Sequence, residues 1–402
     1  MVKVAILGFG TVGSGVYNVL NKNKDILKKR TGSEIEIKYV LDLREFPGNP
    51  VDDILTHDFN DILNDPEVKV VAEVMGGVKP AYDFTKQCLM AKKSVCTSNK
   101  ELVAKHGEEL LGIARENNVN YFFEASCGGG IPIIRSLNEA LIADDIDEIS
   151  GILNGTTNYI LTKMSSQGLL FDDVLKDAQD MGYAERNPEA DIEGYDAQRK
   201  IAILSSIAFG KTVDHESIYT EGITKITPAD LEFAKEFDST IKLIAYGGKK
   251  DGKYYAFVSP FMVGRDNPLY SVDGVFNAIF VHGNMLGDAM FYGSGAGSLP
   301  TASAVASDIA HAVKCGDKTA YSNWQEGKIE LSPIDSFESR FFVRIEKSLK
   351  ETAKRVFGDG TDFKEIPMDG SECAFVTDVM SEKEFEEKAS KLSGIKSRIR
   401  CK

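Results

Sequence analysis

The 402-residue chain sets 61 acidic side chains against 47 basic ones, a formal net charge of −14, with 43% hydrophobic residues. Such a length calls for two or three cores rather than one, and the acidic balance repels nucleic acid and anionic membranes, leaving a small molecule as the expected partner. No run approaches the roughly 18 apolar residues of a membrane span, VKVAIL opens the chain without a leader, and the six cysteines form no C-x-x-C pair, so a cytoplasmic protein with reduced thiols is expected.

Over the first 125 residues, short β-branched runs alternate with helical stretches: VKVAIL, a helix near 11–30, IEIKYVL, VKVVAEVM, a helix near 81–92, SVCTS and NYFFEAS. That alternation predicts an α/β domain with a parallel sheet. GFGTVGSG (8–15) follows the first strand and opens the first helix, the context that gives a G-x-G-x-x-G pattern meaning. Gly8 takes the tight turn, Gly10 admits a pyrophosphate to the backbone, and Gly13 lets helix and strand close up, with Thr11 and Val12 completing the loop. In VLDLREF, Asp42 stands where an acid accepts the ribose hydroxyls of NAD, while Arg44 would suit the 2′-phosphate of NADP. NAD is favoured and NADP stays open; an ordinary turn residue is the alternative reading of Asp42. Lys100, in TSNK after the strand SVC, leaves the carboxyl edge of the sheet, where ligands bind, unless it is a surface lysine starting the next helix.

After CGGGIP (127–132) helices mix with the strand candidates EISGIL and KYYAFVSPFMV, which predicts an α+β domain with antiparallel pairing. EASCGGGIPI (124–133) joins the hard oxygen of Glu124 to glycine carbonyls that no side chain covers, a set suited to an alkali cation rather than zinc; an interdomain hinge is the alternative. YAERNPEADIEGYDAQRK (183–200) crowds five acids and three bases around Pro188 before the apolar IAILSSIAF. Asp196 and Lys200 have the spacing of a helix-surface ion pair, which could also face a cleft. GSGAG (293–297) precedes a helix of small residues able to pack on the nucleotide domain, and Gly297 is the glycine chosen to approach the cofactor. The five histidines lack metal-ligand spacing and read as structural or exposed. From 336 onward, FFVRIE, a helix around 348–357, CAFVTDVM, a helix around 382–393 and IKSRIRC suggest a small third module.

In order and spacing, GFGTVGSG, TSNKELVA, EASCGGGIPIIRSL, GILNGTTNYIL, GYAERNPEADIEGYDAQRKIAIL and GSGAGSLPTASAVASDI resemble the homoserine dehydrogenase family. The resemblance implies a Rossmann NAD(P)-binding domain over 1–130, with 300–320 packing back on it, and a catalytic and dimerisation domain over 131–299. It implies NAD(P)-dependent interconversion of L-aspartate 4-semialdehyde and L-homoserine, on the route to threonine and methionine, by a homodimer or homotetramer. Lys200 then matches the proton donor or acceptor, and Lys100 a second lysine near nicotinamide and substrate. Glu185, Asp191 and Asp196 match carboxylates around the substrate, and Gly182 joins the cofactor set. A sodium-type site would use Glu124 and main-chain oxygens near Cys127, Gly129 and Ile131, whereas Glu189 and Glu193 are read as solvated.

Residues 336–402 resemble an ACT-like βαββαβ module, yet IEKSLKETA (345–353) lacks the D-x-P-G type turn that contacts ligand in such modules. A structural or dimerising role with weak or absent response to an L-threonine effector is therefore expected. No aspartate kinase segment precedes the glycine loop, which implies the monofunctional form. An amino-acid sensor without turnover, and a dehydrogenase for another small carbonyl acid, are the competing readings.

Overall fold

The structure, a computed structural model, describes residues 1–358, 361, 363–365 and 370–402. These gather into two units, Met1–Asp145 with Ala202–His215 and Gly293–Ile329, and Ile146–Ile201 with Glu216–Tyr292 and Glu330–Lys402.

The first unit follows the expected α/β alternation. Its elements are β1 (Val2–Leu7), α1 (Thr11–Lys22), α2 (Lys24–Thr31), β2 (Ile35–Leu41), β3 (Leu55–Thr56), α3 (Phe59–Leu63), β4 (Val68–Glu73), α4 (Ala81–Met90), β5 (Ser94–Thr97), α5 (Lys100–Glu116) and β6 (Tyr121–Phe122). The strands form one parallel sheet in the order β3-β2-β1-β4-β5-β6. Continuous apolar runs make these strands: Val4 to Leu7 are fully buried because helices cover both faces of a parallel sheet. The order reverses at β1, so a crevice opens beyond the carboxyl ends of β1 and β4, where open α/β sheets take ligands.

Two elements differ from expectation. The helix near 11–30 breaks at Asn23, whose φ of −103° and ψ of 18° leave the helical region; α1 buries Val16 and Leu20, but α2 buries nothing, so no core face holds one continuous axis. NYFFEAS gives a strand of only Tyr121–Phe122, because the chain turns at Phe123 into a short 3₁₀ segment over Glu124–Ser126.

The second unit begins with β7 (Ile146–Ile152), α6 (Gly155–Gln167), α7 (Phe171–Asp180), α8 (Glu189–Ile192) and the first half of α9 (Tyr195–Phe209). It continues with β8 (Tyr219–Thr220), α10 (Pro228–Glu236), β9 (Ser239–Lys250), β10 (Lys253–Gly264), β11 (Phe276–Gly283) and β12 (Gly287–Ser294). The chain then adds α11 (Ser298–Cys315) to the first unit, where Ala302, Val305 and Ile309 share a core with Val4, Ile6 and Val16.

The final stretch holds β13 (Glu338–Glu346), α12 (Lys350–Phe357), β14 (Phe363–Lys364), β15 (Glu372–Val376), β16 (Met380–Ser381), α13 (Glu382–Ala389) and β17 (Ile395–Cys401). Its strands extend the sheet of the second unit, in the order β12-β11-β7-β9-β10-β17-β13-β15-β14. Antiparallel pairing dominates as expected, but β17 joins β10 in parallel, Phe261 opposite Arg400. Buried ion pairs reinforce that junction: Arg344 Nε lies 2.9 Å from Asp230 on α10, and Arg400 Nη1 lies 2.7 Å from Glu221.

Candidate active site

In the first unit the glycine loop closes tightly. A Cβ on Gly13 would stand 2.0 Å from the Gly8 carbonyl oxygen, so no other residue fits without opening the turn. Gly10 caps α1 without a side chain, leaving the first-turn amides of Thr11 and its neighbours as donors that suit a phosphate. In front of the loop lies a cavity of about 540 Å³ whose lining includes Gly8, Gly10, Asp42, Arg44, His57 and Met75. From α11, Ser298 Oγ donates to the Thr11 carbonyl at 2.7 Å, which brings Gly297, the N-cap of that helix, beside the loop. Glycine cradle, helix terminus and cavity together fit a dinucleotide.

Asp42 does more than the sequence reading assigned to it. Its carboxylate accepts from Phe9 N at 2.7 Å, Arg44 N at 3.0 Å, and Arg44 Nε and Nη2 at 2.9 Å each. The Arg44 guanidinium, its largest influence, holds the carboxyl well below the usual range. These four bonds match the roughly four lone-pair sites of a carboxylate, so a ribose hydroxyl gains access only when Arg44, with 60% of its side chain exposed, swings away. His57 is exposed, as read, but also borders the cavity, where the Asp42 carbonyl at 2.6 Å and Glu45 raise its pKa.

Lys100 is the first residue of α5 and half-buried. Asn99 caps that helix through Leu102 N and donates to the Gly77 carbonyl at 2.6 Å, while its own N–H reaches Thr97 Oγ1. Thr97 Oγ1 in turn donates to Glu73, which also accepts from Met75 N at 2.8 Å. Glu73, fully buried at the end of β4, therefore fastens the loops after β4 and β5, and burial pushes its pKa up to about 7.

The second unit brings three of the predicted residues together. Lys200 Nζ donates to Asp196 Oδ2 at 2.6 Å and to the Leu153 carbonyl at 2.8 Å. Asp196 is 3% exposed and Lys200 8%, so the pair is buried and not a helix-surface pair. Asn154 Nδ2 joins Asp196 at 2.9 Å to Asp191 on α8 at 2.7 Å. Glu185 and Gly182 stand exposed on the segment between α7 and α8, where the Glu185 carbonyl accepts from Gln179. Glu193, read as solvated, is half-buried and accepts from Thr224 Oγ1 at 3.1 Å; Glu189 is exposed as read.

Within the first unit Glu124 is 4% exposed, and its carboxylate accepts from Ile134 N at 2.7 Å and Arg135 N at 2.9 Å. Burial raises its pKa, and burial likewise pushes Asp308, which accepts from Glu124 N and Arg135, up to about 7. Gly129 sits where a Cβ would be 2.6 Å from the Gly295 carbonyl, so the triple glycine lets segment 293–297 pass. With the Cys127, Gly129 and Ile131 carbonyls, the Glu124 carboxylate would offer a cation hard oxygens only, a donor chemistry that suits an alkali ion rather than zinc. No group of three or more His, Cys, Asp or Glu side chains among the described residues could hold a metal.

Residues 8–124 match the family model for the homoserine dehydrogenase NAD-binding domain, and residues 132–310 match that for homoserine dehydrogenase. The chain belongs to the homoserine dehydrogenase family. A homoserine dehydrogenase of Bacillus subtilis is 39% identical over 404 residues, spanning 96% of this chain and 93% of its own length. The crystal structure of a homoserine dehydrogenase from Thiobacillus denitrificans superposes with a TM-score of 0.92 at 34% identity, covering 100% of this chain and 98% of that one. A hyperthermophilic archaeal homoserine dehydrogenase mutant in complex with NADPH covers 77% of this chain and 97% of its own, with a TM-score of 0.66 and 30% identity. As a homoserine dehydrogenase, the protein is an NAD(P)-dependent oxidoreductase that interconverts L-homoserine and L-aspartate 4-semialdehyde.

Proposed function

We propose that Lys200 is the residue that exchanges the proton of the homoserine hydroxyl. The observation that carries this is its burial between the Leu153 carbonyl and Asp196, which fixes Nζ at one point and shields it from water. Oxidising an alcohol to an aldehyde removes a proton from oxygen and a hydride from carbon. The nicotinamide supplies or takes the hydride when bound. Lys200 takes the hydroxyl proton during oxidation and returns it to the aldehyde oxygen during reduction, and Asp196 stabilises the lysine while it carries that proton. Asp191 and Asp196, with Glu185, offer acceptors to the α-ammonium group of the substrate, and Lys100 orients the substrate beside the nicotinamide. Lys200→Ala is expected to lower kcat by at least ~10²-fold while NAD binding persists; near-native turnover would sink the assignment.

The same reading assigns the cavity to NAD(P), with Asp42 favouring NAD, and gives a monovalent cation to Glu124 with the carbonyls of Cys127, Gly129 and Ile131. The enzyme works as a homodimer or homotetramer in the cytoplasm. Residues 336–402 form an ACT-like module that serves structure or dimerisation; supporting this, two buried arginines, Arg344 and Arg400, tie it to Asp230 and Glu221. L-Threonine is expected to inhibit weakly or not at all, and strong inhibition at submillimolar concentration would overturn that reading.

A further inference from the structure

The geometry points to Asn154 as the positioning residue that holds the substrate-binding carboxylates Asp191 and Asp196, and through Asp196 also Lys200, in one arrangement, an inference that rests on the roles proposed above for Asp191, Asp196 and Lys200. Asn154 is the second residue after β7, follows Leu153, and is 6% exposed. Its two amide ends perform different tasks. Oδ1 accepts from Thr157 N at 2.9 Å and Thr157 Oγ1 at 3.2 Å, capping α6. Nδ2 donates to Asp191 Oδ1 at 2.7 Å and to Asp196 Oδ2 at 2.9 Å. The carbonyl of the preceding residue, Leu153, accepts from Lys200. Two consecutive residues at the end of one strand thus grip both members of the ion pair and the second acid.

Chemistry explains why this position needs an amide. Asp191 lies on a four-residue helix and Asp196 in the first turn of the next, so nothing in either helix forces their carboxylates to converge. Two carboxylates repel at short range unless a donor stands between them, and Nδ2 supplies one hydrogen to each. Aspartate and serine would cap α6 about as well as asparagine. Aspartate, however, is acceptor-only and would set a third carboxylate against the other two; serine is too short to span both acids.

That difference separates a cap from a positioning residue. Asn154→Ser and Asn154→Asp are each expected to raise KM for L-homoserine by roughly ten- to a hundredfold, the scale of lost hydrogen bonds to charged groups. KM for the nicotinamide cofactor should stay near wild type, and the melting temperature should fall more in Asn154→Asp, whose buried third carboxylate repels the other two, than in Asn154→Ser. In Asn154→Asp the added negative charge favours the lysine ammonium, so the pH limb that reports the proton-accepting lysine in homoserine oxidation should move upward; Asn154→Ser should leave it much closer to wild type. Lys200→Ala is assayed in parallel. Wild-type KM and pH profiles in both Asn154 variants, with Lys200→Ala inactive, would overturn the inference and leave the Lys200 assignment standing. An active Lys200→Ala would instead overturn the assignment and the inference with it. Lower melting temperatures with unchanged KM would reduce Asn154 to a helix cap and likewise refute the proposal.

Discussion

Glu73 makes a definite pH prediction. Its carboxyl is 0% exposed, and burial raises its pKa from an ordinary 4.5 to about 7 against the opposing hydrogen bonds from Thr97 and Met75 N. Because the folded state holds this proton more tightly than the unfolded chain, Glu73 favours folding fully below about 4.5, and that contribution is lost as pH rises to about 7. The difference between those pKa values corresponds to roughly 3 kcal/mol. Glu73→Gln replaces the carboxyl with a group that stays neutral at every pH yet can accept from Met75 N and donate to Thr97 Oγ1. The melting temperature of the variant relative to wild type should therefore climb between pH 5 and pH 8, by several degrees for an effect of about this size. Differential scanning measurements at half-unit pH steps read that difference directly, and subtracting the two proteins removes the contribution of other groups such as Asp308. Hydrogen exchange at the Met75 amide, which donates to Glu73, gives a local check. Parallel melting profiles for the two proteins across this range would refute the reasoning.

Arg44→Ala should lower kcat/KM for NADP by roughly tenfold or more, the scale of a lost guanidinium–phosphate contact, while frees Asp42 for ribose hydroxyls and leaves NAD within about threefold; equal losses with both cofactors, measured by nicotinamide absorbance with L-homoserine, would contradict it. Asp230→Ala leaves the buried Arg344 guanidinium without the carboxylate 2.9 Å from its Nε and should destabilise the second unit by about 3–5 kcal/mol in urea unfolding; an unchanged midpoint would show that Glu372 and Thr227 satisfy Arg344 without it.

Sequence pattern revealed the nucleotide side of the molecule more fully than the substrate side. The glycine loop was legible because its demands are local: Gly13 must be small to meet Gly8, and the motif, strand and helix lie within a few residues of one another. The spacing of Asp196 and Lys200 was legible too, but their burial was not, since their partners Leu153 and Asn154 lie more than forty residues earlier. The joining of the C-terminal strands to the second sheet was equally hidden, because IKSRIRC carries no local mark that it pairs in parallel with KYYAFVSPFMV.

The two residues that pattern reading passed over, Glu73 and Asn154, share a signal that could have found them. Each closes a short buried apolar run at or just past the carboxyl end of a strand, VVAE (70–73) and ILN (152–154), in a place where a buried polar group costs free energy unless it is bonded. Such a group persists when its bonds organise something else. Glu73 fastens two loops, one of them leading to Lys100, and Asn154 caps a helix while drawing two acids together. A polar residue at the carboxyl end of an apolar strand thus marks where the chain must be held before a ligand arrives, even though the residues that touch the ligand lie further along. Searching a sequence for charged clusters alone finds the groups that react; searching also for isolated polar residues at strand ends finds those that fix their geometry.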